Sequence, residues 1–114
     1  MITAEHLILK KTTEEDIPEL LKIEAEPCNM DGYWMESEDE YRLDIKDPNV
    51  LILTAWSRSA GEIMGYIIAD IDMEYNLFEI RRNVMADAYR EYYAEATSEI
   101  LMYAYVEKKY NVIL

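Results

Sequence analysis

The chain has 114 residues, 51% of them apolar, and its 24 acidic and 11 basic residues give a net charge of −13. This length predicts one domain, residues 1–114, with a small core. A negative field of that size repels phosphate backbones, which argues against nucleic acid and favours either cationic partners or simple solubility. Because the sequence carries neither a membrane-spanning apolar run nor a signal peptide, we expect a cytoplasmic protein without a membrane partner.

Cys28 and His6 are each the only residue of their type. An intrachain disulfide is therefore impossible, and we expect neither a Cys/His metal cluster nor a Ser-His-Asp triad, so we predict no metal site. Cys28 lies in a turn-like segment and is interpreted as a structural thiol. His6 opens a strand-like run and is interpreted as an ordinary surface residue.

The chain opens with a predicted strand, residues 6–11, followed by an amphipathic helix. Asp16 is a suitable N-cap for this helix, and Glu19 three residues later completes a capping-box pattern. Pro18 then falls in the first turn, where its missing N–H group costs nothing. Apolar residues at helical spacing supply one buried face.

A second helix is predicted after a break rich in turn-forming residues. Ser37 and Glu40 form a second capping-box pattern in front of a short, acidic segment. Tyr41 and Ile45 are the side chains that this helix offers to a core. The Asp47-Pro48 pair ends it.

The middle of the chain predicts three antiparallel strands in sequence order. Residues 49–56 form a nearly continuous apolar run, as expected of a centrally buried strand. A short loop leads to a second strand at 63–71, which must be antiparallel to the first because the loop is short. A turn then leads to a third strand, residues 77–84. The three strands form a meander.

A long helix and a final strand complete the predicted elements. The helix is expected over residues 94–109, and the strand over residues 111–114. The apolar stripe of the helix follows helical spacing and comprises Tyr93, Ala96/Thr97, Ile100/Leu101 and Ala104. The predicted fold is a mixed α/β (α+β) domain, with a central antiparallel meander flanked by helices.

The order of these elements, together with three local motifs, resembles the GNAT superfamily of N-acetyltransferases. The opening "LILKKTTEEDIPELL" is similar to the family's first strand and its Asp-hydrophobic-Pro helix start. "GEIMGY" is similar to its G-x-x-V-G-Y/F hairpin, and "EIRRNVM" to its E-L-R-R-x-V-V strand. The resemblance implies acetyl transfer from acetyl-CoA to an amine of a small molecule or peptide. It covers almost the whole chain but stops short of a complete GNAT domain.

The resemblance also locates the turn that holds the acetyl-CoA pyrophosphate in GNAT enzymes. The family pattern R-G-x-G-x-A/G falls on Arg90, Glu91, Tyr92, Tyr93 and Ala94. Arg90 is kept, but Glu91 and Tyr93 replace the two glycines that let backbone N–H groups approach an anion. We expect Glu91 to repel the phosphates and the Tyr93 ring to obstruct them, so the cradle is degenerate.

The resemblance implies further site residues on the third strand of the meander. Val84, Met85 and Ala86 take the place where free backbone amides face the cofactor's thioester arm. Glu79 is the candidate base, and the alternative is a structural ion pair with Arg81 or Arg82 across the sheet.

Two aromatic residues in the loop between the first two helices are further candidates. In a GNAT fold, Tyr33 and Trp34 would border the acceptor pocket; alternatively, they belong to the core.

The last residues, "NVIL", would leave an open apolar sheet edge, which predicts a homodimer formed through that edge. GNAT domains continue beyond this strand with elements that often supply a catalytic acid. The sequence therefore supports two functions. One is a GNAT-like N-acetyltransferase. The other is a non-catalytic GNAT-like protein that acts as a dimeric binding module.

Overall fold

A computed structural model describes residues 1–30 and 37–113 of the chain. Its strands form one six-stranded sheet in sequence order. The strands are β1 (Ile2–Thr3), β2 (Leu7–Lys11), β3 (Val50–Ser57), β4 (Ile63–Asp72), β5 (Leu77–Met85) and β6 (Asn111–Ile113). The helices are α1 (Ile17–Glu24), α2 (Pro27–Met30), α3 (Glu38–Lys46) and α4 (Tyr93–Met102). The predicted mixed α/β fold is confirmed.

The predicted antiparallel meander is also present, since β2 to β5 pair antiparallel with their sequence neighbours, whereas β6 runs parallel to β5. The short strand β1, which the sequence did not predict, pairs antiparallel with β2. In the part of the chain described, no helix combines the length and the apolar character that a membrane span requires.

The start of α1 differs from the sequence prediction. Thr13 caps a 3-10 turn, Glu14–Asp16, that precedes the helix, and the Asp16 carboxylate accepts a hydrogen bond from the Thr13 backbone N–H over 3.0 Å. Asp16 also accepts a hydrogen bond from the Thr54 hydroxyl and does not cap α1 through its side chain. The predicted Asp16–Glu19 capping box is therefore wrong, because Asp16 is buried against β3 instead of facing the helix terminus.

The start of α3, in contrast, follows the sequence pattern. The Ser37 hydroxyl accepts a hydrogen bond from the Glu40 backbone N–H over 3.2 Å, and the Glu40 carboxylate accepts one from the Ser37 N–H over 3.1 Å. Tyr41 is fully buried, and Ile45 packs against the same core. The helix ends at Lys46, just before Asp47-Pro48.

The helix predicted over residues 94–109 is divided into two parts, α4 and a π-helical turn. A 3-10 turn, Asp87–Tyr92, precedes α4, and a wide π-helical turn, Tyr103–Glu107, follows it. Of the predicted stripe, Ala96, Ile100 and Ala104 are fully buried on the sheet, whereas Tyr93 is 45% exposed. Tyr93 belongs to the first turn of α4, where the helix has only just reached the sheet, so its side chain points away from the core.

The sheet separates two apolar clusters. On one face, α4 covers a cluster that includes Leu9, Ala55, Ile67 and Phe78, and Val112 of β6 packs against it. On the other face, α1 and α3 pack on Ile52, Tyr66, Ile68 and Val84. Nearly continuous apolar strands are required because both faces of the sheet are covered.

Gly65 allows β4 and β5 to approach each other closely. A Cβ atom at position 65 would lie 2.2 Å from the Val84 carbonyl oxygen, well inside contact distance. This gives a steric reason for the second glycine of the "GEIMGY" motif. A β-bulge follows further along the same strand pair, where Ile68 faces Arg82 and Ala69 faces Ile80, so that Arg81 is the extra residue.

A charged network lies under the sheet, between α1 and α3. Arg82 donates a hydrogen bond to Glu24 over 2.8 Å, and both residues are at least 94% buried in their side chains. The Tyr41 hydroxyl donates to the other Glu24 oxygen over 2.9 Å and lies 2.7 Å from the Tyr66 hydroxyl. Burial raises the pKa of Tyr66 to about 12 and also raises the pKa of Tyr41. Both phenols therefore stay neutral donors, and the network joins α1, α3, β4 and β5.

We predict that Arg82→Met lowers the free energy of unfolding by about 3–5 kcal/mol, because it removes the guanidinium that faces the buried Glu24 carboxylate. The double variant Glu24→Leu/Arg82→Met should recover much of this loss, since it removes both charges together. Urea unfolding followed by circular dichroism measures both variants. Equal instability of the single and double variants would show that the charge pair is not the cause.

Candidate functional site

Strand β5 is paired along the whole of one edge but along only part of the other. Strand β4 accompanies it from Leu77 to Met85, but β6 pairs with it only at Leu77, Phe78 and Glu79. Beyond Glu79, the outer edge of β5 has no strand partner among residues 1–30 and 37–113. The two strands therefore part, and backbone polar groups line the gap.

The direction of these backbone groups follows from one hydrogen bond. The Ala86 N–H donates to the Met64 carbonyl of β4 over 2.7 Å. In an antiparallel pair, alternate residues exchange such bonds, so the backbone of Val84 also faces β4. Asn83 and Met85 lie between these positions and direct their N–H and C=O groups into the gap. Of Val84, Met85 and Ala86, only Met85 therefore directs its backbone groups into the gap, and Asn83 does the same.

A cleft of about 330 Å³ lies beside this open edge, between α2, β5 and the start of α4. The side chains and backbone that line it are Cys28, Asn29, Asn83, Met85, Arg90 and Tyr93. Asn29 donates one hydrogen bond to the Met85 carbonyl over 2.9 Å and another to the Ile23 carbonyl. Helix α2 is thereby held against β5 at the cleft.

Asn83, one of the residues that line the cleft, carries an unsatisfied polar atom. Its Nδ2 donates to the Thr97 hydroxyl over 2.7 Å, and Thr97 in turn donates to the Tyr93 carbonyl over 2.8 Å. Asn83 is only 7% exposed, and its Oδ1 is buried without a hydrogen-bond partner. Such an atom is rare in a native structure and indicates a site that an added group can complete.

The start of α4 supplies the positive end of the cleft. No side chain caps this terminus, and the Tyr93 N–H donates to the Arg90 carbonyl of the preceding 3-10 turn. The helix dipole places partial positive charge at this end of α4, which favours an anion. Arg90 lines the cleft nearby and lies 3.8 Å from Asp87 in a loose, exposed ion pair. An anionic group in the cleft would meet both the helix terminus and this guanidinium.

The other residues of the predicted cradle have different surroundings. Tyr93 lines the cleft, as expected of a residue that could obstruct it. Glu91 is not among the lining residues, and its charge acts on His6 instead. The Tyr92 ring packs 5.3 Å from the His6 ring, and Ala94 is exposed. Glu91 and Tyr92 thus lie on the His6 side of the turn, whereas Tyr93 lies at the cleft.

The remaining candidates lie away from the cleft or outside the described residues. Glu79 is exposed and lies on the part of β5 that β6 still pairs, about 13 Å along the strand from Asn83. The ion pairs seen for Arg81 are with Asp44 and Asp70. The predicted acceptor-site residues Tyr33 and Trp34 fall in the segment that the structure does not describe.

Comparison with known proteins identifies the fold. The chain superposes with a TM-score of 0.78 on a chimera of the spermidine N-acetyltransferase SpeG from Vibrio cholerae and hSSAT, at 15% sequence identity. The match covers 95% of this chain and 69% of the other. The chain has the GNAT fold.

A second GNAT structure gives the same answer. A GNAT-family acetyltransferase from Bacillus anthracis matches at a TM-score of 0.75 and 19% identity, covering 97% of this chain and 70% of the other. No protein-family model and no curated protein sequence matches the chain. The GNAT fold is therefore recognised from the structure and from the ordered series of motifs. The sequence identity to these GNAT structures, 15% and 19%, is too low for comparison of whole sequences to detect it.

His6 lies at the surface, as predicted, and also fastens the start of α4 to the sheet. Its backbone N–H donates to one Glu95 oxygen over 2.8 Å, and its ring Nδ1 lies 2.7 Å from the other. The hydrogen bond to Glu95 raises the pKa of His6. Burial alone would raise the pKa of Glu95, but the hydrogen bonds from His6 outweigh it, and this pKa is lowered.

We predict a pH-dependent contribution of this pair to stability. The raised pKa of His6 stabilises the fold fully below its ordinary value of 6.5, and this contribution is lost as the pH rises through the raised value. The lowered pKa of Glu95 acts above its ordinary value of 4.5 and is lost as the pH falls through the lowered value. The difference in melting temperature between wild type and His6→Asn should therefore be largest between pH 4.5 and pH 6.5, where both contributions are present. Glu99→Gln, on the same helix, is the matched control, and a flat difference from pH 5 to 8 would contradict the coupling.

Proposed function

We propose that this protein is an acetyl-CoA-dependent N-acetyltransferase whose acceptor is an amine of a small cationic molecule or peptide. The carrying observation is the open edge of β5, where Asn83 and Met85 direct backbone groups into a cleft beside the uncapped start of α4. The GNAT fold supports this assignment, because the structural neighbours are acetyltransferases.

The residues of the cleft fit a long ligand that is anionic at one end and rich in amides along its length. Arg90 and the positive end of the α4 dipole would hold the phosphates. Asn83 and Met85 would bind the amides of the pantetheine arm. When bound, acetyl-CoA supplies an acetyl thioester that an amine can attack. The chain would contribute by orienting the two reactants at the strand edge.

Two side chains limit access to the cleft. Tyr93 places its ring at the turn where the family pattern has glycine, and its exposure of 45% leaves room for the ring to move outward. Asn29 already donates to the Met85 carbonyl. A carbonyl oxygen accepts two hydrogen bonds, so a ligand N–H can share this acceptor. Outward movement of the Tyr93 ring would open the cleft to the cofactor.

The acidic side of the sheet supports a cationic acceptor. Arg81 is shared between Asp44 and Asp70, and Glu79 lies opposite Asp70 on the neighbouring strand. One Asp44 oxygen is buried without a hydrogen-bond partner. Burial raises the pKa of Asp70, and Asp44 and Glu79 add to this effect against the influence of Arg81. An approaching ammonium would relieve this crowding of carboxylates.

We assign the base to Glu79 within this proposal. An amine must lose a proton before it can attack a thioester, and an exposed carboxylate can accept that proton directly or through a water molecule. We infer a polyamine-like acceptor, since one structural neighbour is a spermidine N-acetyltransferase and the chain carries a net charge of −13.

The test combines binding and turnover. We expect calorimetric titration with acetyl-CoA to show one site per chain, and release of free CoA thiol to depend on both acetyl-CoA and spermidine. Glu79→Gln should lower the rate by a factor of about 10²–10⁴, the usual range for loss of a general base, without weakening acetyl-CoA binding. Absence of acetyl-CoA binding would overturn the proposal. Binding without transfer to any amine would favour a non-catalytic GNAT-like module.

Substitutions in the degenerate turn separate two causes of weak cofactor binding. Tyr93→Gly should strengthen binding of CoA, because it removes a ring that lines the cleft and restores backbone freedom at the helix start. Glu91→Gly should change CoA affinity less, since the Glu91 side chain lies outside the cleft lining. Calorimetry measures both variants. A larger gain from Glu91→Gly would show that charge, not the ring, obstructs the phosphates.

The predictions of a homodimer, of a single domain and of a cytoplasmic location stay predictions. A strand-to-strand dimer would add to the proposed function without being required for it, because the cleft is built from residues of one chain.

A further inference from the structure

We propose that Asn83 determines ligand specificity in the cleft: its side-chain oxygen accepts a hydrogen bond from an amide N–H of the ligand's arm. This inference rests on the proposed function and deepens it, because it names the part of the cofactor that the Asn83 side chain binds. The observation behind it is the buried Oδ1 atom that has no donor within the protein.

The orientation of the Asn83 amide is determined by a chain of hydrogen bonds. The Thr97 hydroxyl has one proton, and its geometry assigns that proton to the Tyr93 carbonyl at 2.8 Å. Thr97 can therefore only accept from Asn83, so the atom at 2.7 Å from its oxygen must be the Nδ2 donor. The Oδ1 atom is left on the other side, as an acceptor.

The cost of this arrangement indicates that a ligand satisfies it. A buried carbonyl oxygen without a donor costs about 1–3 kcal/mol, whereas an apolar side chain of similar size would cost nothing in that respect. Asn83 nevertheless belongs to a strand whose neighbouring residues Val84 and Met85 are apolar and buried. Because the residue also lines the cleft, a ligand donor is the group that removes the cost.

The chemistry of Oδ1 selects the kind of ligand group. The atom is a neutral acceptor, so it binds an N–H or O–H donor and gains nothing from a phosphate oxygen. The backbone carbonyl and N–H of Asn83 also face the gap at the same point of the strand. Together they match a secondary amide, which carries both a donor and an acceptor. The pantetheine arm of CoA contains such amides, whereas its nucleotide end does not.

The experiment compares two ligands that differ in this arm. CoA carries the pantetheine arm, and adenosine 3′,5′-bisphosphate retains phosphates and the nucleoside but lacks the arm. We expect Asn83→Leu to weaken binding of CoA about tenfold, the size of one buried hydrogen bond. Binding of the bisphosphate should be unchanged. Ser98→Ala, at an exposed position beside Thr97, is the matched control.

Thermal stability provides an independent readout. Asn83→Leu removes an unsatisfied acceptor, so we expect its melting temperature to be equal to or higher than that of the wild type. A lower melting temperature together with unchanged CoA affinity would show a purely structural role and overturn the proposal. Equal weakening of both ligands would also overturn it. If Asn83→Leu does not fold, Thr97→Val serves instead: it releases the amide and should weaken CoA alone, by about threefold.

These outcomes separate this inference from the proposed function. A wild-type protein that binds neither CoA nor the bisphosphate overturns both. A wild type that binds CoA, with Asn83→Leu binding it equally well, overturns the role of Asn83 alone.

Discussion

The need of backbone polar groups for hydrogen-bond partners governs this structure. Strand β5 is paired along one edge for its whole length, but on the other edge β6 leaves it after Glu79. The residues beyond that point cannot satisfy their outward N–H and C=O groups within the sheet. One such carbonyl, that of Met85, is bound by Asn29. The open edge therefore presents backbone groups that an amide-containing ligand could pair with.

The network beneath the sheet explains how such an edge can remain in place. Glu24 and Arg82 form a buried pair that ties α1 to β5, and Tyr41 and Tyr66 extend it to α3 and β4. Buried pairs contribute little net stability compared with apolar packing, but they are intolerant of displacement. Since Arg82 immediately precedes Asn83 on the strand, the pair holds the backbone next to the cleft in register. The neighbouring bulge at Arg81 turns an additional charged side chain towards α3.

The turn at the start of α4 combines features of a phosphate cradle with departures from one. The helix terminus is uncapped and Arg90 is beside it, but Tyr93 stands where a small residue would let an anion approach. The two side chains that replace the family's glycines, Glu91 and Tyr93, have different surroundings. Glu91 is directed towards His6, whose contact with Glu95 fastens this turn to the sheet, and only Tyr93 remains at the cleft. An altered motif can thus keep its position in the fold while its substituted side chains take up different surroundings.

The sequence by itself determined the order of the main strands and helices, because apolar periodicity, capping residues and short loops are local signals. The Ser37–Glu40 box and the meander up to Met85 are examples. It also indicated the GNAT fold through an ordered series of motifs. The tertiary structure alone decided which groups meet across the chain. The pairing of Glu24 with Arg82 and of His6 with Glu95 joins residues far apart in sequence, so no local pattern could reveal it. The same holds for Asn83, because the lack of a donor for its side-chain oxygen can be recognised only from the groups that surround it in the fold. It also holds for Asp16, which accepts a hydrogen bond from Thr54 on a distant strand instead of capping its own helix.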